Sequence, residues 1–91
     1  MAQTFAEFEA AQRAEGFDEV VVREWPPLTV VDTHVHRFAA RGLVVRGEMW
    51  LIVGEQTEHL RPGATFTLAP GVTHSEHYGE QGATYWVARR G

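Results

Sequence analysis

The sequence predicts an all-β fold: a small antiparallel β-barrel or jelly roll preceded by one short α-helix. Two observations carry this. After Gly16, β-branched and aromatic stretches of about five to eight residues alternate with Gly and Pro turns. Helical periodicity is confined to the residues before Gly16. A chain of 91 residues has room for one domain, with residues 1–17 as a helical arm and residues 18–91 as the barrel.

The helix is expected over residues 4–15. Thr4 and Glu7 form the T-x-x-E capping box, and Phe5, Phe8 and Gln12 follow helical spacing. Gly16 suits the position just past a helix end, where Phe17 can fold back on the last turn. Val20-Val21-Val22 begins a strand that must end at Trp25-Pro26-Pro27. Residues 28–38 alternate as a second strand, with Val30, Asp32, His34, His36 and Phe38 on one face. Residues 43–53 form a third, interrupted at Gly47-Glu48. Short strands follow at 57–61 and 64–68, separated by Pro62-Gly63 and followed by Pro70-Gly71. The last strand is read at 83–89, after a Gly79/Gly82 loop.

Composition removes several classes of chemistry. There is no Cys, which excludes disulfides, thiolate nucleophiles and Cys-ligated metal. There is no Lys, so Schiff bases and a phosphate-loop lysine are excluded too, and Ser75 is the only serine. A net charge of −4 with no basic stripe argues against nucleic acid and anionic membranes as partners. The first sixteen residues carry no apolar signal region, and no apolar run approaches the roughly 20 residues of a membrane span. A cytoplasmic protein is the expectation. The five consecutive apolar residues Met49 to Val53 predict cover on both faces of their strand. A second subunit can supply it, giving a homodimer, and so can the N-terminal helix.

All five histidines lie between positions 34 and 77. His34 and His36 form an H-x-H pair whose imidazoles share one strand face, about 6.5–7 Å apart at Cα. Two imidazoles at that spacing can converge on one ion, with bonds of about 2.0–2.1 Å to zinc. A third ligand has to come from a neighbouring strand, and His74 stands at the start of one.

The wider spacing resembles the cupin superfamily. In the first cupin motif, G-x5-H-x-H-x3,4-E-x6-G, His34, His36 and Gly47 match in register. In the second, G-x5-P-x-G-x2-H-x3-N, Gly63, Gly71 and His74 match. Fifteen residues separate Gly47 from Gly63, and the resemblance covers residues 28–79. The chain departs from the pattern at four places. Leu28 stands at the first Gly, Ala69 at the Pro, and Tyr78 at the Asn. The motif's Glu falls on Ala40 or Arg41. The resemblance therefore implies a three-histidine site of His34, His36 and His74, similar to those of thiol and diketone dioxygenases in the superfamily. It would hold a divalent transition metal (zinc, nickel, iron, copper or manganese) and leave a position open for water or a small-molecule ligand.

Further ligands are open. Asp32 shares a face with His34 and His36 and is the better candidate for orienting an imidazole. Glu76 shares a face with His74, whereas His77 points the other way on a regular strand. His59 reads as a surface residue, and Trp25, Trp50, Trp86, Tyr78 and Tyr85 read as core, interface or rim. Arg41 reads as a solvated charge, or else as a contact for an anionic substrate. The function expected is a metal-binding cupin of unknown substrate, and, if an enzyme, an oxygenase, isomerase or hydrolase. The alternative is a non-enzymatic barrel that binds or senses a small molecule.

Overall fold

The computed structural model describes residues 3–91. Residues 1 and 2 of the arm lie outside the described residues. One helix, α1 (Phe5–Ala14), precedes six strands: β1 (Glu19–Trp25), β2 (Val30–His34), β3 (Ala39–Val53), β4 (Gln56–Leu60), β5 (Thr65–Leu68) and β6 (His74–Arg90). All pairings are antiparallel. The two long strands β3 and β6 pair with each other along most of their length and organise the rest. The second half of β6 carries β1 on its other edge, and its first half carries β2. The first half of β3 carries β5, and its second half carries β4. The result is two four-stranded layers, β1-β6-β3-β5 and β2-β6-β3-β4, which share two bent strands. This is the antiparallel barrel or jelly roll that the sequence predicts.

The bend is made by glycine. Between the pairs Gly47↔Ala83 and Met49↔Tyr78, β3 has only Glu48, while β6 has Gly79, Glu80, Gln81 and Gly82. The stretch read as a loop before the last strand is thus an insertion within one continuous strand of 17 residues. It reverses which residues face inward. His74, Glu76 and Tyr78 are buried before it, and Ala83, Tyr85 and Val87 after it. Gly47 (φ +73°) and Gly82 (φ +70°) face each other there. A Cβ on Gly47 would run into the Gly82 carbonyl oxygen and lie 2.9 Å from the Ala83 Cα.

The second predicted strand is shorter than residues 28–38. It leaves the ladder after His34, and the His36 carbonyl accepts instead from the Gly71 N–H at 2.8 Å. Leu28 has the left-handed backbone (φ +58°) that the motif glycine would adopt without strain, and its side chain is exposed.

The capping box forms as predicted: the Thr4 Oγ1 accepts from the Glu7 N–H, and Glu7 accepts from the Thr4 N–H. The helix buries Phe8 with Phe17, Val20 and Ala88, and packs Phe5 and Phe8 on the Trp86 ring. It therefore covers the outer side of β1 and β6, not the run Met49 to Val53. Within that run Met49 and Leu51 point into the barrel, and Trp50 is covered by the parallel ring of His59 at 4.5 Å. Arg41 lies under the arm. It donates to Glu15 (2.9 Å) and Gln12 (3.1 Å) and sits over the Phe17 ring. It takes no part in the barrel interior. No helix is long and apolar enough to cross a membrane among the described residues.

Candidate metal centre and ligand cavity

Inward-facing side chains of both layers line a cavity of about 210 Å³. Apolar groups such as Phe38, Met49, Leu68 and Val87 form much of the wall. Its polar lining is His34, His36, His74 and Glu76 from β2, the segment after it and the start of β6, with Arg23 from β1 and Tyr85 and Arg89 from the second half of β6.

There the structure brings His34, His36 and His74 together, with one ring nitrogen from each within 4.8 Å of the others. The ring centroids lie 4.2 Å apart for His34 and His74, 4.8 Å for His34 and His36, and 5.1 Å for His36 and His74. The Nδ1 of His34 is 2.7 Å from the Asp32 carbonyl oxygen, and the Nδ1 of His74 is 3.0 Å from the Val72 carbonyl oxygen. In each pair the Nδ1–H donates to the carbonyl, which fixes the tautomer with its proton on Nδ1. Both Nε2 lone pairs are then free to bind. This is the tautomer and support that a metal-ligating histidine requires. Asp32 does orient an imidazole, though with its backbone carbonyl; its side chain is exposed. His36 stacks on Phe38. Burial, and then the neighbouring His34 and His74, hold its pKa below the ordinary imidazole value.

Glu76 lies beside the group. It is buried, and its Oε2 lies 3.5 Å from the His34 Nε2 and 3.6 Å from the His74 Nε2. Those distances are long for hydrogen bonds. They approach the spacing between two ligand atoms on one ion, about 3.4 Å for a tetrahedral site with bonds of about 2.1 Å. The other carboxylate oxygen accepts from the Tyr78 hydroxyl. Burial, then the adjacent Tyr85 and the bond to Glu76, raise the Tyr78 pKa far above its ordinary value, so this hydroxyl remains a donor. Trp25 stacks on Tyr78 at 5.2 Å, and its Nε1–H donates to the Tyr85 hydroxyl at 3.2 Å. Tyr78, at the motif's Asn, is thus the support of the carboxylate. The three imidazoles form a donor set that suits a transition metal ion.

Ala40, at the motif's Glu, is buried and lines the same cavity. The carboxylate that lines this cavity is that of Glu76 on β6. His59 and His77 lie outside the group. His59 is exposed and bonded to Glu48 at 2.5 Å, and His77 faces outward opposite Trp50.

Residues 17–91 match the AraC-like ligand binding domain. The chain belongs to this family. As an AraC-like domain it has the cupin-type fold, and solved structures agree. The cupin domain of Schizosaccharomyces pombe Cnp3 superposes with a TM-score of 0.71 at 14% identity, over 77% of this chain and 50% of the other. The DMSP lyase DddQ from Ruegeria pomeroyi gives 0.73 at 20% identity, over 79% and 37%. A Rhizobium leguminosarum protein of unknown function gives 0.74 at 16% identity and matches nearly end to end, over 98% and 94%. The AraC-like domain spans half or less of the first two chains. No functionally curated protein sequence matches it.

Proposed function

We propose that this AraC-like domain binds a small molecule in its barrel at a metal centre formed by His34, His36, His74 and Glu76. The observation that carries the reading is the pairing of two Nδ1-supported imidazoles with a buried carboxylate oxygen at 3.5 and 3.6 Å. A divalent transition metal held there would supply Lewis-acid polarisation to an oxygen-bearing ligand. The protein's part is to set the coordination. His34, His36, His74 and Glu76 would hold the ion, and coordination positions they do not fill would be left to the ligand. The apolar cavity wall excludes bulk water and holds the body of the ligand.

A second reading is a non-enzymatic sensing barrel. The family, a ligand-binding domain by its description, favours it. Elemental analysis of the purified protein tests the metal centre. Bound transition metal in the parent and in His59→Ala, with its loss in His74→Ala, is the expected result. Metal absent from the parent, or held equally by both variants, overturns it. Turnover of a bound ligand by the metal-loaded protein separates the enzyme from the sensor.

A further inference from the structure

The barrel cavity is lined by a guanidinium that has no ion-pair partner among the described residues. Of the arginines, Arg13, Arg41 and Arg89 are paired with Glu9, Glu15 and Glu19. Arg46 and Arg90 donate to Thr84 and to backbone carbonyls. Arg23 is different. It is half-buried on β1 and lines the cavity, yet among the described residues no carboxylate lies within 4.0 Å of it and its guanidinium has no hydrogen-bond acceptor. Its Cζ lies 5.1 Å from the centroid of the Trp25 ring, which covers one face of the group. Stacking of that kind leaves the in-plane N–H donors free. The second cavity arginine, Arg89, is held by Glu19 at 3.1 Å and lies over Phe38.

A guanidinium in a partly apolar wall has lost water without gaining a partner, so a complementary anion is favoured there. Its planar fork matches a carboxylate with two parallel N–H···O bonds. The adjoining wall of Phe38, Leu68 and Val87 suits a short hydrocarbon body. We propose that the cavity takes a small monocarboxylate, with the carboxylate held by Arg23 and an apolar body of a few carbons against Phe38, Leu68 and Val87. This rests on the reading of the cavity as the ligand site, and it does not require the metal.

The test compares butyrate, its neutral isostere butyramide, and acetate, by calorimetric titration into metal-loaded and chelator-treated protein. Butyrate should bind at least tenfold more tightly than either of the others, with or without metal. Arg23→Gln should erase the preference for butyrate over butyramide while leaving metal content unchanged, and Arg23→Lys should retain part of it. Equal affinity for butyrate and butyramide in the parent, or no binding of either, overturns the inference. So does a butyrate preference that survives in Arg23→Gln, which would put the anion on the metal or the histidines. Because metal content is measured separately, failure of the metal centre and failure of the Arg23 assignment give different results.

Discussion

Substitution of Glu76 by glutamine isolates the one proposed ligand that comes from outside the motif pattern. The amide would keep the shape and an oxygen that accepts from Tyr78, so the metal-free Glu76→Gln protein should melt within a few degrees of the parent. What the change removes is the charged oxygen facing the His34 and His74 Nε2 atoms at 3.5 and 3.6 Å. Groups that merely support a metal ligand cost about 10–100-fold in affinity when lost, and a direct anionic ligand should cost at least that. At saturating metal, each tenfold of lost affinity removes about 1.4 kcal/mol of stabilisation. The expected loss is therefore about 1.4–2.7 kcal/mol. For a domain of this size, about 4–8 °C per kcal/mol converts this to a zinc-induced rise in Tm smaller by roughly 6–20 °C. The assay is a thermal melt of both proteins in chelator and across a zinc titration, with His74→Ala as the reference for a lost ligand. An identical zinc-induced shift in Glu76→Gln and the parent would refute the reasoning. Glu76 would then be a buried acceptor for Tyr78 and nothing more.

Ala40→Glu places a second carboxylate in the cavity that Glu76 also lines. Without metal it should destabilise the protein by about 1–3 kcal/mol, and metal should recover more stability than in the parent; an unaffected metal-free melt would place residue 40 outside the cavity. Leu28→Gly relieves a left-handed residue, a strain of about 1–2 kcal/mol, against an unfolded-state entropy cost of about 0.5–1 kcal/mol. The net expectation is a Tm raised by a few degrees, and a lower Tm would contradict it. The depressed pKa of His36 gives a pH dependence of definite sign. The folded state resists a proton that the unfolded chain accepts near pH 6.5. This contribution is complete above that value and is lost as pH falls towards the lower folded pKa. Metal-free melts of the parent should drop more between about pH 7.5 and 5.5 than those of His36→Gln, and parallel curves would exclude the effect.

The clustering of His34, His36 and His74 was legible from the H-x-H pair and the motif spacing to His74, although only His34 and His74 lie on strands and His36 reaches the group from the segment after β2. Glu76 was legible only as sharing a face with His74. Its approach to His34 depends on the pairing of β2 with β6, a non-local register that no periodicity states. The same holds for the two arginines. Arg41 sits beside the expected carboxylate position in sequence, yet its strand turns it towards the arm. Arg23 reads as an ordinary strand charge until β1 closes the cavity. The Gly79/Gly82 stretch misleads in a different way. Its residues are those of a turn, but β3 and β2 hold the chain on both sides, so the glycines accommodate an insertion and the strand continues. Residues 35–38 alternate like a strand yet leave the ladder, because Gly71 takes the His36 carbonyl.

The three tryptophans are distributed so that each reports optically on a different part of the molecule. Trp86 lies under Phe5 and Phe8 and senses whether the arm is docked. Trp50 lies flat on His59 and reports on that outer face of β3 and β4. Trp25 is stacked on the tyrosine that holds Glu76, bonded to Tyr85 and covered by the Arg23 guanidinium. A protein in which Trp50 and Trp86 are replaced by Phe would keep one indole, in contact with both the support of the carboxylate and the unpaired cation. Its fluorescence would register filling of the cavity directly, with no label attached and whatever the chemical nature of the ligand.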